Sequence, residues 1–173
     1  MAQVLTAPRD DLHSVTDWKA GAWAGLIAGL VFVMLEMGMV WIFQSESPWG
    51  PPHMIAAMAL GKEVLPSPGT PAPFDLKIMM TAMMIHLPMS IAYGLIGAWL
   101  VHSFEWAGGL MIGAGLGLAI YIVNFYGIAP AAFPWFVMGR NWIGAFSHIM
   151  FGAILGVAYI GLRRPNATGG QGR

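Results

Sequence analysis

One carboxylate, one amide and two imidazoles fall inside the long apolar runs of this chain: Glu36, Asn124, His86 and His148. A carboxylate at the centre of a bilayer costs about 2.5–3.5 kcal/mol even on insertion scales, so an intramembrane Glu marks a candidate functional position. Four kinds of chemistry fit the set. Hydrogen-bonded to one another, the four groups would glue helices together, as expected of an accessory or assembly subunit of a larger membrane complex. Glu36, His86 and His148 are also a ligand set for a first-row metal, copper or iron. Met83 and Met89, three residues either side of His86, would tilt the choice to copper, although unbranched methionines also fill irregular helix interfaces. His86 and His148 have the placement of axial ligands to a b-type haem. A protonatable Glu–His pair would serve a proton-coupled carrier or pore.

The elements that must position these groups follow from composition. Of the 173 residues 57% are hydrophobic and 9% charged, with a mean hydropathy of +0.66. Such a chain cannot hide its apolar surface from water and belongs with membrane proteins. Eight Lys and Arg balance eight Asp and Glu with no basic run, which sets nucleic acid aside as a partner. There is no cysteine, hence no disulfide, thiolate ligand or Cys nucleophile. No nucleophile elbow, phosphate loop or HExxH spacing occurs, so no catalytic residue is assigned and a non-enzymatic role is favoured. His53 and His102, near the ends of apolar runs, are expected to be solvated.

The expected fold class is an all-α membrane protein with four spans, at about 19–43, 77–101, 107–128 and 142–162, each long enough to cross about 30 Å of hydrocarbon. Trp18, Trp23 and Trp41 would anchor the first at the interfaces. Prolines recur between 48 and 73 and exclude a span there, but a short interfacial helix is expected at about 52–64 in this first outer loop. The domain reading is a flexible tail at 1–17, a transmembrane domain at 18–164 and a second tail at 165–173. The first tail lacks a cleavable-signal pattern, so the first span is expected to direct its own insertion. Arg9, Lys19, Arg163 and Arg164 against Lys62, Lys77 and Arg140 predict cytoplasmic termini in an inner membrane, with lipid, other subunits or a second copy as partners.

An internal repeat organises the spans. A shift of 88 residues places Trp18 on Trp106, Gly21 on Gly109, Gly25 on Gly113, Gly29 on Gly117 and Glu36 on Asn124. A shift of 62 places His86 on His148, Gly94 on Gly156 and Leu100 on Leu162. The pattern predicts two duplicated hairpins, 18–102 and 106–164, of parallel topology about a pseudo-two-fold axis along the membrane normal. The glycines recur every fourth residue on one face, where helices can approach closely, and Glu36 and Asn124 continue the same stripes seven residues on. The four polar groups are therefore expected to meet at similar depth in the outer half of the bundle.

The stretches SPWGPPHMIAAMALGKEVLP and MMTAMMIHLPMSIAYGLIG resemble a group of short, uncharacterised four-span bacterial membrane proteins, some of which carry a transferred sodium/proline symporter label. The resemblance implies a four-span membrane fold. No sodium-site pattern accompanies it.

Overall fold

A computed structural model describes residues 15–164, which leaves the expected tails outside the described residues except for Val15–Asp17. Among the described residues all regular structure is helical: α1 (Trp18–Met39), α2 (Gly50–Leu60), α3 (Leu76–Val101), α4 (Trp106–Ile122), α5 (Ala129–Ala132) and α6 (Trp142–Leu162). Helix α1 runs on as a π-helical turn, Val40–Gln44, and a second π segment, Val123–Ile128, joins α4 to α5 without a break. Among the described residues four helical stretches are long and apolar enough to cross a membrane: Trp18–Gln44, Leu76–Val101, Trp106–Ala132 and Trp142–Leu162.

The helix starts are written locally. Side-chain caps satisfy backbone N–H groups that a first turn leaves orphaned. Asp17 accepts from the Ala20 N–H (2.9 Å), Asp75 from Ile78 (3.0 Å) and Asn141 from Gly144 (3.0 Å). Helix α2 begins instead on Pro51 and Pro52, residues that need no donor partner in a first turn. Pro88 lies inside the continuous α3.

Glycine decides which helices touch. A Cβ added to Gly25 would collide with the Ser90 carbonyl oxygen and sit 2.8 Å from Gly94 Cα. One added to Gly113 would collide with the Gly152 carbonyl and sit 3.3 Å from Gly156 Cα. Gly21 faces the Gly94 carbonyl at 3.1 Å in the same construction, and Gly109 faces that of Gly156 at 3.3 Å. Backbone therefore lies on backbone in two separate seams, α1 on α3 and α4 on α6. Helices α1 and α6 join the two pairs, whereas α3 and α4 meet only thinly. The glycine stripes thus zip helices two by two, where the sequence suggested a convergence of all four. At the end where α1 begins and α6 ends, the seam between pairs is filled by Ala20, Ala24, Ala98, Val101, Tyr159 and Ile160. There the Tyr159 hydroxyl accepts from the Asp17 N–H (3.1 Å), the Arg163 guanidinium donates to the His102 carbonyl (2.6 Å), and Asp17 accepts from the Arg164 N–H (3.3 Å).

The outward faces carry Trp23, Met34, Met84, Trp99, Met111 and Trp142, all exposed. So large an apolar exterior suits hydrocarbon rather than water and implies contact with a lipid bilayer. Helix α2 is packed onto α3 by a cluster of Ala56, Ile78 and Ala82, which Met83 joins. His53 is buried there, 4% exposed, with its Nδ1 2.9 Å from the Trp49 carbonyl, so the expectation that it is solvated is corrected. A histidine one turn into a short helix can satisfy itself on the carbonyl four residues back, and burial then follows from packing. His102 keeps its polar surroundings, its Nδ1 2.7 Å from the Trp99 carbonyl.

Candidate functional site: a chamber between the two helix pairs

Where α3 and α4 fail to close on each other, a cavity of about 210 Å³ opens at the end of the bundle opposite the start of α1 and the end of α6. Its walls come from every long helix: Phe32 and Glu36 of α1, His86, Ser90 and Tyr93 of α3, Ile120 of α4 with Asn124 and Phe125 beyond it, and His148 and Phe151 of α6. Its roof is Met54, Ile55 and Met58 of α2 together with Phe133 and Phe136 of the second connection. The Trp135 indole N–H donates to the Met54 carbonyl (3.0 Å) and fastens the two halves of that roof.

Glu36, His86, Asn124 and His148 therefore line one cavity, but no hydrogen bond joins any two of them. Three of them find partners elsewhere. A carbonyl only accepts, so the 3.0 Å contact from His86 Nε2 to the Gly29 carbonyl puts the imidazole proton on Nε2. By the same argument His148, with Nδ1 2.7 Å from the Gly144 carbonyl, carries its proton on Nδ1. Asn124 accepts the Tyr93 hydroxyl at 3.2 Å through its side-chain oxygen. The Ser90 hydroxyl donates to the His86 carbonyl (2.8 Å), so it belongs to the helix backbone. Among the described residues Glu36 has no hydrogen-bond partner. The four groups thus form no mutual hydrogen bonds: the two histidines turn to backbone carbonyls one helical turn or one glycine seam away, and Asn124 turns to Tyr93.

The ring between the two histidines was not foreseen. Phe32 stacks on His86 (centroids 5.3 Å apart, planes 22° apart) and meets His148 edge-on (4.8 Å, 80°). It occupies the room that a planar macrocycle held by both histidines would need. No three His, Asp or Glu side chains among the described residues lie close enough together to hold one metal ion. Of the two methionines proposed for a metal shell, Met89 lines the cavity, whereas Met83 packs with Ala56, Ile78 and Ala82 a turn higher, beneath α2. Phe32 and Tyr93 had a legible signal: one stands four residues before Glu36, the other seven after His86, each on its partner's face. Phe133 and Phe136 had none, since only the fold of the second connection brings them over the cavity.

Asn124 stands in the π segment, where the wider turn leaves a carbonyl without its regular donor. The Arg140 Nε–H donates to the Phe125 carbonyl (2.8 Å), and the Arg140 guanidinium lies over the Tyr126 ring at 4.8 Å. Outside the spans, the Asp17 carboxyl is held below its ordinary value of 3.8, first by the Ala20 N–H it accepts. No family model, curated protein or solved structure matches this chain.

Proposed function

We propose that the chain is a multi-pass inner-membrane protein that binds a small organic molecule in the chamber, with both termini cytoplasmic and the chamber in the outer half of the bilayer. The observation that carries this reading is the set of four polar side chains, one from each long helical stretch, that share one cavity without bonding to each other. A purely structural cluster would be expected to pair its own members, since unpaired buried polar groups are expensive. Groups left open toward a mostly apolar, aromatic-walled space are instead the makings of a ligand pocket.

The two hairpins are read as a duplication. Support comes from the seams: Gly25 with Ser90 and Gly94 corresponds, under the shifts of 88 and 62, to Gly113 with Gly152 and Gly156, and Gly21 with Gly94 to Gly109 with Gly156. The α2 helix is read as lying at the outer interface, roofing the pocket. The charge bias toward the terminal side supports the orientation.

The absence of cysteine makes a direct test simple. Asn124→Cys in membranes is expected to react with a small methanethiosulfonate reagent, whereas Ser147→Cys, at a fully buried position next to His148 in α6, stays unreacted. An unreactive Asn124→Cys in a folded protein would overturn the chamber.

A metal-holding role is the second reading, favoured by one observation. His148 donates Nδ1–H to a backbone carbonyl, the arrangement that orients a ligating imidazole through its other nitrogen. Elemental analysis of purified wild type against His148→Ala tests it: equal metal content in both removes the reading.

A further inference from the structure

We infer that the chamber's occupant is a small protonated amine with an apolar or aromatic body, its ammonium group seated on Glu36. The inference rests on the ligand-chamber reading and names the chemical class that the walls select.

Charge comes first. Glu36 is the only Asp, Glu, Lys or Arg among the side chains that line the cavity, so nothing there neutralises a carboxylate and nothing attracts an anion. An ionised carboxylate in such surroundings needs a counter-cation. Direction of hydrogen bonding comes second. With their protons committed to Gly29 and Gly144, His86 and His148 each keep one ring nitrogen whose lone pair has no hydrogen-bond partner among the described residues. Asn124 has its oxygen engaged by Tyr93, so that with Glu36 ionised its amide N–H groups are the one donor of the four. The polar inventory is thus rich in acceptors and matches a ligand that brings several N–H donors. Shape and surface come third. Phe32, Phe125, Phe136 and Phe151 supply faces for an apolar body and for cation–π contact with the ammonium, and a cavity of about 210 Å³ limits the body to one ring or a short chain.

The test uses the full chain in lipid nanodiscs with three probes that share a benzyl body, followed by calorimetry or tryptophan fluorescence near neutral pH. Benzylammonium has both charge and donors, benzyltrimethylammonium has charge alone, and benzyl alcohol has a donor alone. Benzylammonium is expected to bind tightest. Glu36→Gln should weaken it by about thirtyfold or more, as removal of one partner from a desolvated charge pair does, and leave benzyl alcohol unchanged. Glu36→Asp, which keeps the charge, should retain the order of preference and serves if the Gln variant does not fold. Equal binding of the amine and the alcohol, or an unaltered amine affinity in a folded Glu36→Gln, overturns the inference. So does failure of benzylammonium to bind. In each case a reactive Asn124→Cys shows that the chamber itself survives, and an unreactive one shows that both readings fall.

Discussion

Phe32 is the residue on which the site turns, because it separates two histidines that would otherwise face each other. Phe32→Ala should enlarge the chamber and cost about 3–5 kcal/mol of stability, toward the lower end because the ring already borders empty space. Thermal unfolding in detergent measures the cost, and the variant should accept a probe with a second ring that wild type rejects. Tyr93→Phe removes the one donor to the Asn124 oxygen and should destabilise by about 1 kcal/mol. Asp17 is a separate matter of pH. Its carboxyl is held below 3.8, chiefly by the Ala20 N–H, so the folded state favours the ionised form. Its contribution is complete above that ordinary value and is lost as pH falls through the lower native one. Asp17→Ala should cost about 1 kcal/mol as a lost cap. Asp17→Asn should flatten stability against pH in that acid window, as followed by thermal melts from neutral pH downward.

At the scale of elements the two glycine seams are the structural commitment. A methyl group at Gly113 runs into the Gly152 carbonyl, whereas one at Gly115 meets nothing within 4 Å. Gly113→Ala should therefore destabilise by about 1–3 kcal/mol, with backbone rather than a flexible side chain as the obstacle. Gly115→Ala should be neutral or stabilising by up to about 1 kcal/mol through helix propensity alone. Both values are read from detergent or SDS titration of the purified protein. The same seams explain why the chamber lies where it does. Helices α1 with α3 and α4 with α6 spend their small residues on each other, and α3 and α4 are left with bulky faces that cannot close.

For the whole molecule, orientation is the open physical variable, and the exposed aromatic exterior sits equally well in either direction. Single cysteines at Ser45 and Ser103 lie at opposite ends of the bundle. With cytoplasmic termini, Ser45→Cys should label from outside intact cells with a membrane-impermeant maleimide and Ser103→Cys should label only after permeabilisation. The reversed pattern would place the chamber on the cytoplasmic side.

Length, hydropathy and the position of Trp, Pro and capping residues were enough to place the four long helices within a few residues, since each needs only a continuous apolar run and a local start signal. The third extends a few residues beyond its expected end because the π segment carries it into α5, a continuation that no single residue announces. The spacing of the glycines singled out the packing faces, and the helical repeat placed Glu36, His86, Asn124 and His148 on them. How those faces pair was decided only by the tertiary structure. Seams form where backbone meets backbone, so the stripes close two helices at a time, and the space between pairs is whatever the bulky faces leave over. Hydrogen-bond partners were likewise beyond reach of the sequence. A carbonyl four residues back or across a glycine is nearer to an imidazole than a carboxylate on another helix, and that distance exists only once the chain is folded.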